Sequence, residues 1–402
     1  MAKIESFSNK RNFPEEPRAV SAVPALAALV LATAVLVIFG LVMLYSASFG
    51  VVGAQYFRKQ LMWATIGLTG GAVIILTGYR NLVKYSPLFL VISILMLMVA
   101  RFGFAPVKGA YRWIRLGPVS IQASEFAKLS LALFLAKYCS ENIRTFSLLK
   151  FDGGLIKILM VVFGVCAAII VGKDFGMTFL TLIMSFATLL AAGLFLRYLV
   201  IPLGILAVGS VYIYLFDAMR LARVTSFMRS DELQSGSGYQ LELGKIALGS
   251  GNWFGVGFLE SRMKAKYLPE HHTDFILSIV GEELGFVGII FVIICYLVYG
   301  IAAVKISCRA SDRCGSILGF ALVCSVTIQA LINLAVVSGS APTKGMSAPF
   351  LSYGGSNMLT NLFATALLVS IALDVIFPNY NDFLIGKIFR RGNFSNSGDS
   401  EK

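Results

Sequence analysis

The sequence predicts an all-α polytopic membrane protein with about ten transmembrane helices and a large extracytoplasmic loop between the seventh and eighth. Of its 402 residues, 57% are hydrophobic and only 14% are charged, a composition outside the range of soluble domains. Apolar runs of about 20 residues, long enough to cross the hydrocarbon layer as helices, recur along the chain. They cover roughly 22–44, 61–78, 86–101, 124–140, 154–172, 176–194, 198–216, 274–302, 315–337 and 357–377.

Both ends of the chain are predicted to lie in the cytoplasm. The first apolar stretch is too long for a cleaved signal peptide, so we expect it to stay as a helix. An even number of spans places both ends on one side, and the basic tails favour the cytoplasmic side. The predicted organisation is a tail over 1–21, a membrane domain over 22–377 and a tail over 378–402, with the outer loop at 217–273.

The predicted outer loops are almost as basic as the cytoplasmic ones. The chain has a formal net charge of +13 at pH 7. One outer loop holds Arg112 and Arg115, and the long one includes Arg262, Lys264 and Lys266. Two explanations stay open: attraction to lipid headgroups or plain solubility, and a groove for an anionic substrate.

The cysteines, histidines and glycines give weaker signals. The six cysteines form no Cys-x-x-Cys pair, and adjacent histidines point apart on a helix or strand, so neither indicates a metal site. The glycine-rich segment 249–257 has two interpretations, a backbone cradle for phosphate or a set of turns.

Charged residues inside or beside the apolar runs are candidates for function, because such residues are costly in a membrane. Glu125 and Lys128 are three residues apart, so they share a helix face and are as consistent with an ion pair as with a substrate contact. Glu282 and Glu283 point to different sides of their helix and are interpreted as packing partners of arginine or serine. The remaining candidates are Asp174 and Lys344.

Asp274 has the most informative neighbours. It is predicted to lie in the first turn of the eighth span, where the helix dipole favours a carboxylate and Thr273 can cap the helix. The basic residues 262–266 lie upstream, and His271 and His272 are able to relay or orient a proton. Together they suit a site that removes a proton from an alcohol beside a bound phosphate.

Separated sequence blocks, in order along the chain from about 22 to 377, resemble the signature of the SEDS (shape, elongation, division and sporulation) family. They are Tyr111-Arg-Trp-Ile-Arg-Leu-Gly-Pro, Gln122-Ala-Ser-Glu-Phe-Ala-Lys128, Asp174-Phe-Gly-Met-Thr, Gly238-Tyr-Gln, Gly249-Ser-Gly, Gly255-Val-Gly, Leu268-Pro-Glu-His-His-Thr-Asp-Phe-Ile, Gly281-Glu-Glu-Leu-Gly-Phe, Pro342-Thr-Lys-Gly-Met and Pro349-Phe-Leu-Ser-Tyr-Gly-Gly-Ser356.

The resemblance implies a ten-helix fold and an activity, polymerisation of lipid II into the glycan strands of peptidoglycan. It also implies a class B penicillin-binding transpeptidase and other membrane proteins of the division machinery as partners, and no nucleic acid. The segment Pro-Thr-Lys-Gly at 342–345 is similar to the division branch of the family. The expected location is therefore the bacterial cytoplasmic membrane at the division septum.

The resemblance also implies roles for individual residues. The family's essential aspartate falls on Asp274, which is expected to act as general base. Cations that stabilise the pyrophosphate are expected among Arg112, Arg115, Lys344 and the cluster Arg262, Lys264 and Lys266, with a divalent ion (Mg²⁺ or Mn²⁺) as a further candidate. Supporting and substrate-contacting residues are expected to be Glu125, Lys128, Asp174, His272, Ser352, Gly354 and Gly355.

This chain departs from the family pattern at two span entrances. Ala123 and Lys173 stand where the family usually has proline, which puts the local starts of two helices in doubt but leaves the acidic residues in place.

Two other classes of function stay open. A lipid II flippase or transporter also needs buried charges, but its key residues lie near the membrane midplane, whereas Asp274 is predicted at the outer surface. A noncatalytic scaffold that recruits the transpeptidase would keep the fold without the chemistry.

Overall fold

The computed structural model describes residues 18–107, 109–117, 119–142, 153–194, 204, 237–266, 271–343 and 345–378. These residues form a helical bundle with one short hairpin, which confirms the predicted all-α class. The predicted span at 198–216, apart from residue 204, and most of the two tails lie outside the described residues.

The first half of the bundle holds seven helices and the hairpin. Their bounds are α1 (Arg18–Val52), α2 (Gln55–Thr77), α3 (Tyr79–Lys84), α4 (Ser86–Gly103), β1 (Trp113–Leu116), β2 (Val119–Gln122), α5 (Ala123–Glu141), α6 (Gly153–Val171) and α7 (Phe175–Ala191). The strands pair antiparallel, with Trp113 opposite Gln122. The hairpin was not predicted.

The second half follows the segment outside the described residues. It consists of α8 (Ser237–Ser250), α9 (Met263–Lys266), α10 (Ile276–Arg309), α11 (Arg313–Val337) and α12 (Gly355–Ile376). In the described part of the chain, seven helices are long and apolar enough to cross a membrane: α1, α2, α4, α6, α10, α11 and α12. The chain is thus a multi-pass membrane protein, and the count of ten spans stays a prediction.

The last helix, α12, lies at the centre of the bundle. It packs against α1, α2, α5, α10 and α11, and most of its length is buried. The buried apolar residues of these helices join into one hydrophobic core. Several polar residues, among them Glu125 and Asn357, are also buried there and need partners inside the protein.

A break in α10 shapes the packing of the segment that precedes this helix in sequence. Gly285 has a φ of 67° and interrupts the helix. Segment 252–257 bonds to both sides of the break: the amides of Val256 and Gly257 donate to carbonyls before it, at 2.9 and 3.1 Å, and the carbonyls of Asn252 and Trp253 accept from amides after it, at 2.9 and 3.2 Å. The backbone groups released by the break are therefore satisfied, as an apolar environment requires.

The glycine-rich segment is consequently explained by packing. A Cβ atom on Gly251 would lie 1.8 Å from the carbonyl oxygen of Gly281, and one on Gly255 would lie 2.1 Å from that of Glu283. These glycines let the segment approach the backbone of α10 closely. The structure thus favours turns and close packing over the phosphate cradle.

Replacement of Gly255 by alanine tests this contact. Gly255 and Gly117 both have positive φ values, 81° and 62°, but no atom lies within 4 Å of a Cβ placed on Gly117. Both substitutions strain the backbone by about 1–2 kcal/mol, and Gly255→Ala adds a steric clash of about 1–3 kcal/mol. Thermal unfolding in detergent should therefore occur at a lower temperature for Gly255→Ala. Equal unfolding temperatures would contradict the packing role.

Candidate active site

Asp274 lies in a turn before α10. The helix begins at Ile276, and its N-cap position is Phe275. The prediction that Asp274 lies in the first turn and that Thr273 occupies the capping position was therefore wrong. Asp274 lies outside the helix and is only partly buried.

Arg112 and Asp274 meet beside Gly345. A Cβ atom on Gly345 would lie 3.4 Å from both Asp274 Oδ2 and Arg112 Nη2. Arg112 Nη1 also donates to the carbonyl oxygen of Gly345 at 3.4 Å and forms an ion pair with Asp174 Oδ1 at 3.5 Å. The structure thus places the predicted base and one of the predicted cations beside the same glycine.

Asp174 fixes the other side of Arg112. It caps α7 by accepting from the amide of Met177 at 3.4 Å. Its Oδ2 accepts from Ser124 Oγ at 2.8 Å and from Gln122 Nε2 at 3.1 Å, and the side chain is 3% exposed. Asp174 is therefore fixed by residues at the starts of α5 and α7, and its buried carboxylate orients the Arg112 guanidinium through their ion pair.

The two missing prolines do not disturb the helix starts. α5 begins at Ala123 and α7 begins directly after Asp174. The amide of Ala123 donates to the carbonyl oxygen of Arg112 at 3.2 Å, a bond that proline cannot make. Lys173 has a φ of 61°, which proline cannot adopt. The local backbone of this chain thus uses the residues that replace proline.

Glu125 and Lys128 form the ion pair that their spacing indicated. Their charged atoms are 2.8 Å apart, and both side chains are 2% exposed. Lys128 Nζ also donates to Gln329 Oε1 at 2.8 Å, and Thr360 Oγ1 donates to Glu125 Oε2 at 3.1 Å. The pair therefore joins α5 to α11 and α12.

His272 connects the Asp274 turn to the segment before α12. Its ring stacks on Tyr56 with centroids 4.3 Å apart, and its carbonyl oxygen accepts from the amide of Tyr353 at 2.9 Å. Burial raises the pKa of the Tyr353 phenol, so this side chain stays neutral. The turn is thus attached to both α2 and the 352–355 segment.

Ser352, Gly354 and Gly355 are engaged by protein contacts. The amide of Ala348 donates to Ser352 Oγ at 2.8 Å, and the amide of Gly354 donates to Gln60 Oε1 at 3.2 Å. A Cβ atom on Gly355 would lie 2.2 Å from the indole ring of Trp63. Close packing against α2 therefore accounts for Gly355.

Two members of the predicted basic cluster, Lys264 and Arg262, differ in burial. Lys264 points inward, where its Nζ lies 2.6 Å from Glu283 Oε1 and 3.1 Å from Ser46 Oγ. The side chain of Arg262 is exposed, while its amide donates to Glu282 Oε1 at 2.9 Å. Ser46 Oγ donates to Glu283 Oε1 at 2.7 Å, and Ser261 Oγ donates to Glu282 Oε2 at 2.5 Å. Both glutamates are therefore packing partners of serine, as predicted, and Glu283 pairs with a lysine in addition.

Of the three other predicted cations, only Arg115 has a side chain that the structure describes. Arg115 is exposed on β1. Lys344 and the side chain of Lys266 lie outside the described residues. Among the residues that are described, no three His, Cys, Asp or Glu side chains come together as a metal site.

Neutral amides of the site were missed by the sequence analysis. Gln122 contacts Asp174, Gln329 contacts Lys128, and Asn333 contacts the backbone of Asp274. Gln329 and Asn333 are buried in the apolar helix α11. Amides in an apolar span were the signal that could have found them, because uncompensated polar groups are rare there.

The polar residues of the site lie around the N-terminal ends of α5, α7, α10 and α12. The chain is thus a multi-pass membrane protein with a partly buried polar site at one end of its helical bundle. Over residues 26–375 the sequence matches the family of FtsW, RodA and SpoVE, described as cell cycle protein. The chain belongs to this family, which confirms the resemblance noted from the motifs.

Curated relatives and solved structures agree with this membership. A probable peptidoglycan glycosyltransferase FtsW of Trichlorobacter lovleyi is 36% identical over 353 residues, covering 86% of this chain and 92% of the relative. Stage V sporulation protein E of Bacillus subtilis is 34% identical and covers 86% of this chain and 96% of its own.

Two solved structures share the fold. A chain of a peptidoglycan synthase complex has a TM-score of 0.74 at 23% identity, with 87% of this chain and 98% of that chain covered. RodA of Thermus thermophilus has a TM-score of 0.65 at 23% identity, with 86% and 96% covered.

The buried pair Lys264–Glu283 can be tested as a structural contact. Glu283→Gln leaves a buried ammonium without its carboxylate, which should lower the free energy of unfolding by about 3–5 kcal/mol. The double variant Lys264→Met with Glu283→Leu removes both charges and should recover most of that loss. Thermal unfolding in detergent measures both. A Glu283→Gln variant that unfolds at the same temperature as the wild type would contradict the structural role of the pair.

Proposed function

We propose that this chain is a peptidoglycan glycosyltransferase that polymerises lipid II into glycan strands, with Asp274 as its general base. The observation that carries the proposal is that the carboxylate of Asp274, a partly exposed residue, and the guanidinium of Arg112 both lie beside Gly345. A base and a cation beside the same exposed glycine suit a reaction that takes a proton from an alcohol and releases an anion.

The reaction follows from these two groups. Asp274 takes the proton from the C4 hydroxyl of the acceptor N-acetylglucosamine. The oxygen then attacks the anomeric carbon of the donor N-acetylmuramic acid, and the bond to undecaprenyl pyrophosphate breaks with the electron pair leaving on phosphate. A general base supplies about 10²–10⁴-fold of rate enhancement, so alignment of the two lipid-anchored substrates must supply much of the rest.

Arg112 is the cation best placed to bind the pyrophosphate. Asp174 and the carbonyl oxygen of Gly345 hold its Nη1. The Arg112 side chain is 20% exposed, so part of it remains open to a phosphate oxygen. Arg115 and Arg262, which are exposed, together with Lys266 and Lys344, are proposed to attract the anionic lipid to the outer surface.

The proposed setting is the bacterial cytoplasmic membrane at the division septum, with both termini in the cytoplasm. The relatives named FtsW and the likeness to a chain of a peptidoglycan synthase complex support it. We propose a class B penicillin-binding transpeptidase as the partner, along with other membrane proteins of the division machinery. Glu125, Lys128 and Asp174 support the site from within the bundle.

Asp274→Asn tests the base. The substitution is nearly isosteric and removes the proton acceptor, so the purified protein with its transpeptidase should form no glycan polymer from lipid II. Glu260→Gln is the matched control, because Glu260 is an exposed acid of the same outer segment, and it should polymerise like the wild type. Equal polymer from Asp274→Asn would rule out the base. No polymer from the wild type, with lipid II still bound, would favour flipping or scaffolding.

Arg112→Gln tests the leaving-group cation. Loss of one donor to a developing anion typically costs about 10²–10³-fold in kcat, and we expect a loss of that size in lipid II polymerisation. Arg112→Lys keeps the charge but not the planar fork, so it should recover only part of the rate. Arg115→Gln, three residues further along the chain on β1, should cost less than Arg112→Gln. Equal losses at the two positions would indicate a general electrostatic effect instead.

A further inference from the structure

Asn333 is buried in α11 and bonds to two segments that lie outside the helices. Its Nδ2 donates to the carbonyl oxygen of Asp274 at 3.0 Å and to that of Met346 at 2.8 Å. The side chain is 2% exposed. One amide group therefore holds both the turn that carries the proposed base and the segment beside Gly345, where Asp274 meets Arg112.

The chemistry of the neighbours fixes the orientation of this amide. Both contacted atoms are carbonyl oxygens, which only accept hydrogen bonds, so the NH₂ group must face them. The Oδ1 atom is buried and has no partner among the described residues. An unpaired buried carbonyl group is unfavourable, so the Oδ1 atom does not stabilise the structure. The stabilising contribution of this side chain comes from the two hydrogen bonds that its NH₂ group donates.

Gln329 strengthens the same attachment one helical turn earlier. Its Nε2 donates to the carbonyl oxygen of Ser347 at 3.0 Å, while its Oε1 accepts from Lys128 at 2.8 Å. Residues four apart share a helix face. α11 thus presents two successive amides to residues 346 and 347, and only the second of them also reaches Asp274.

We infer that Asn333 is a positioning residue for Asp274: its two donor bonds set the distance between the turn at 274 and the segment at 345–346, and so the place of the carboxylate relative to Arg112. The inference rests on the proposed function, since it takes Asp274 as the base. Asn333 acts through the backbone and does not itself react with the substrate.

The test uses Asn333→Asp in the full chain, purified with its transpeptidase and supplied with lipid II. The carboxylate is nearly isosteric but removes both N–H donors and turns an oxygen toward two carbonyl oxygens. Because a misplacement of about 1 Å can cost about 10²-fold, we expect kcat to fall by about that factor with KM nearly unchanged. Asn333→Gln keeps both donors on a longer arm and should recover part of kcat.

Thr327→Val is the matched control on the same helix. Thr327 Oγ1 bonds only within α11, to the carbonyl oxygen of Val323 at 2.7 Å, and valine has the same shape. It should keep the wild-type kcat. Where Asn333→Asp does not fold, Asn333→Ala, which has neither donor nor charge, carries the test with the same expected loss.

Asp274→Asn, measured in the same assay, distinguishes the proposal that Asp274 is the base from the inference that Asn333 positions it. An inactive Asp274→Asn with a wild-type kcat in the Asn333 variant would overturn the positioning role and leave the base intact. A rise in KM with kcat unchanged would also overturn it, because that result places Asn333 in binding. An active Asp274→Asn would remove the base, and the inference about Asn333 with it.

Discussion

The rest of the structure depends on one constraint: a polar group inside an apolar bundle must find its partner within the protein. The chain meets this constraint by giving many of its buried polar and charged groups a partner in another segment. The break at Gly285 is filled by segment 252–257, which satisfies the released backbone groups. The buried charges of Glu125 and Glu283 are matched by lysines. The same bonds that remove these penalties also attach irregular segments to the helices.

The site is a product of that attachment. Asp274, Arg112 and Gly345 all lie outside the helices, and segments of this kind are ordinarily the mobile part of a protein. Here Asp274 is bonded to α11 by the buried side chain of Asn333, and Arg112 is bonded to the buried side chain of Asp174, which caps α7. A charge-stabilising site works best when its dipoles are fixed before the reaction begins. The membrane constraint therefore gives the site its rigidity.

The sequence was sufficient where the signal is local. Apolar length predicted the spans that the structure describes, and the spacing of three predicted the Glu125–Lys128 pair. It failed where the partner is distant along the chain. No local pattern shows that Lys264 faces inward to Glu283, or that a glycine-rich segment enters a break in α10 some 30 residues later. The start of α10 after Asp274 was missed for a similar reason, because Thr-Asp is a common capping sequence and tertiary contacts overrode it.

The acids of the membrane domain show how the fold separates structural from chemical roles. Glu125, Asp174, Glu282 and Glu283 are each at most 3% exposed and accept bonds from neighbouring segments. Asp274, in contrast, is partly exposed, and its contact with α11 is made by its backbone carbonyl oxygen. A base must be reached by its substrate, whereas a carboxylate that joins helices must be shielded from water. The bond from Asn333 to the backbone carbonyl oxygen of Asp274 holds the turn in place while the residue stays partly exposed, which is compatible with its proposed role as a base.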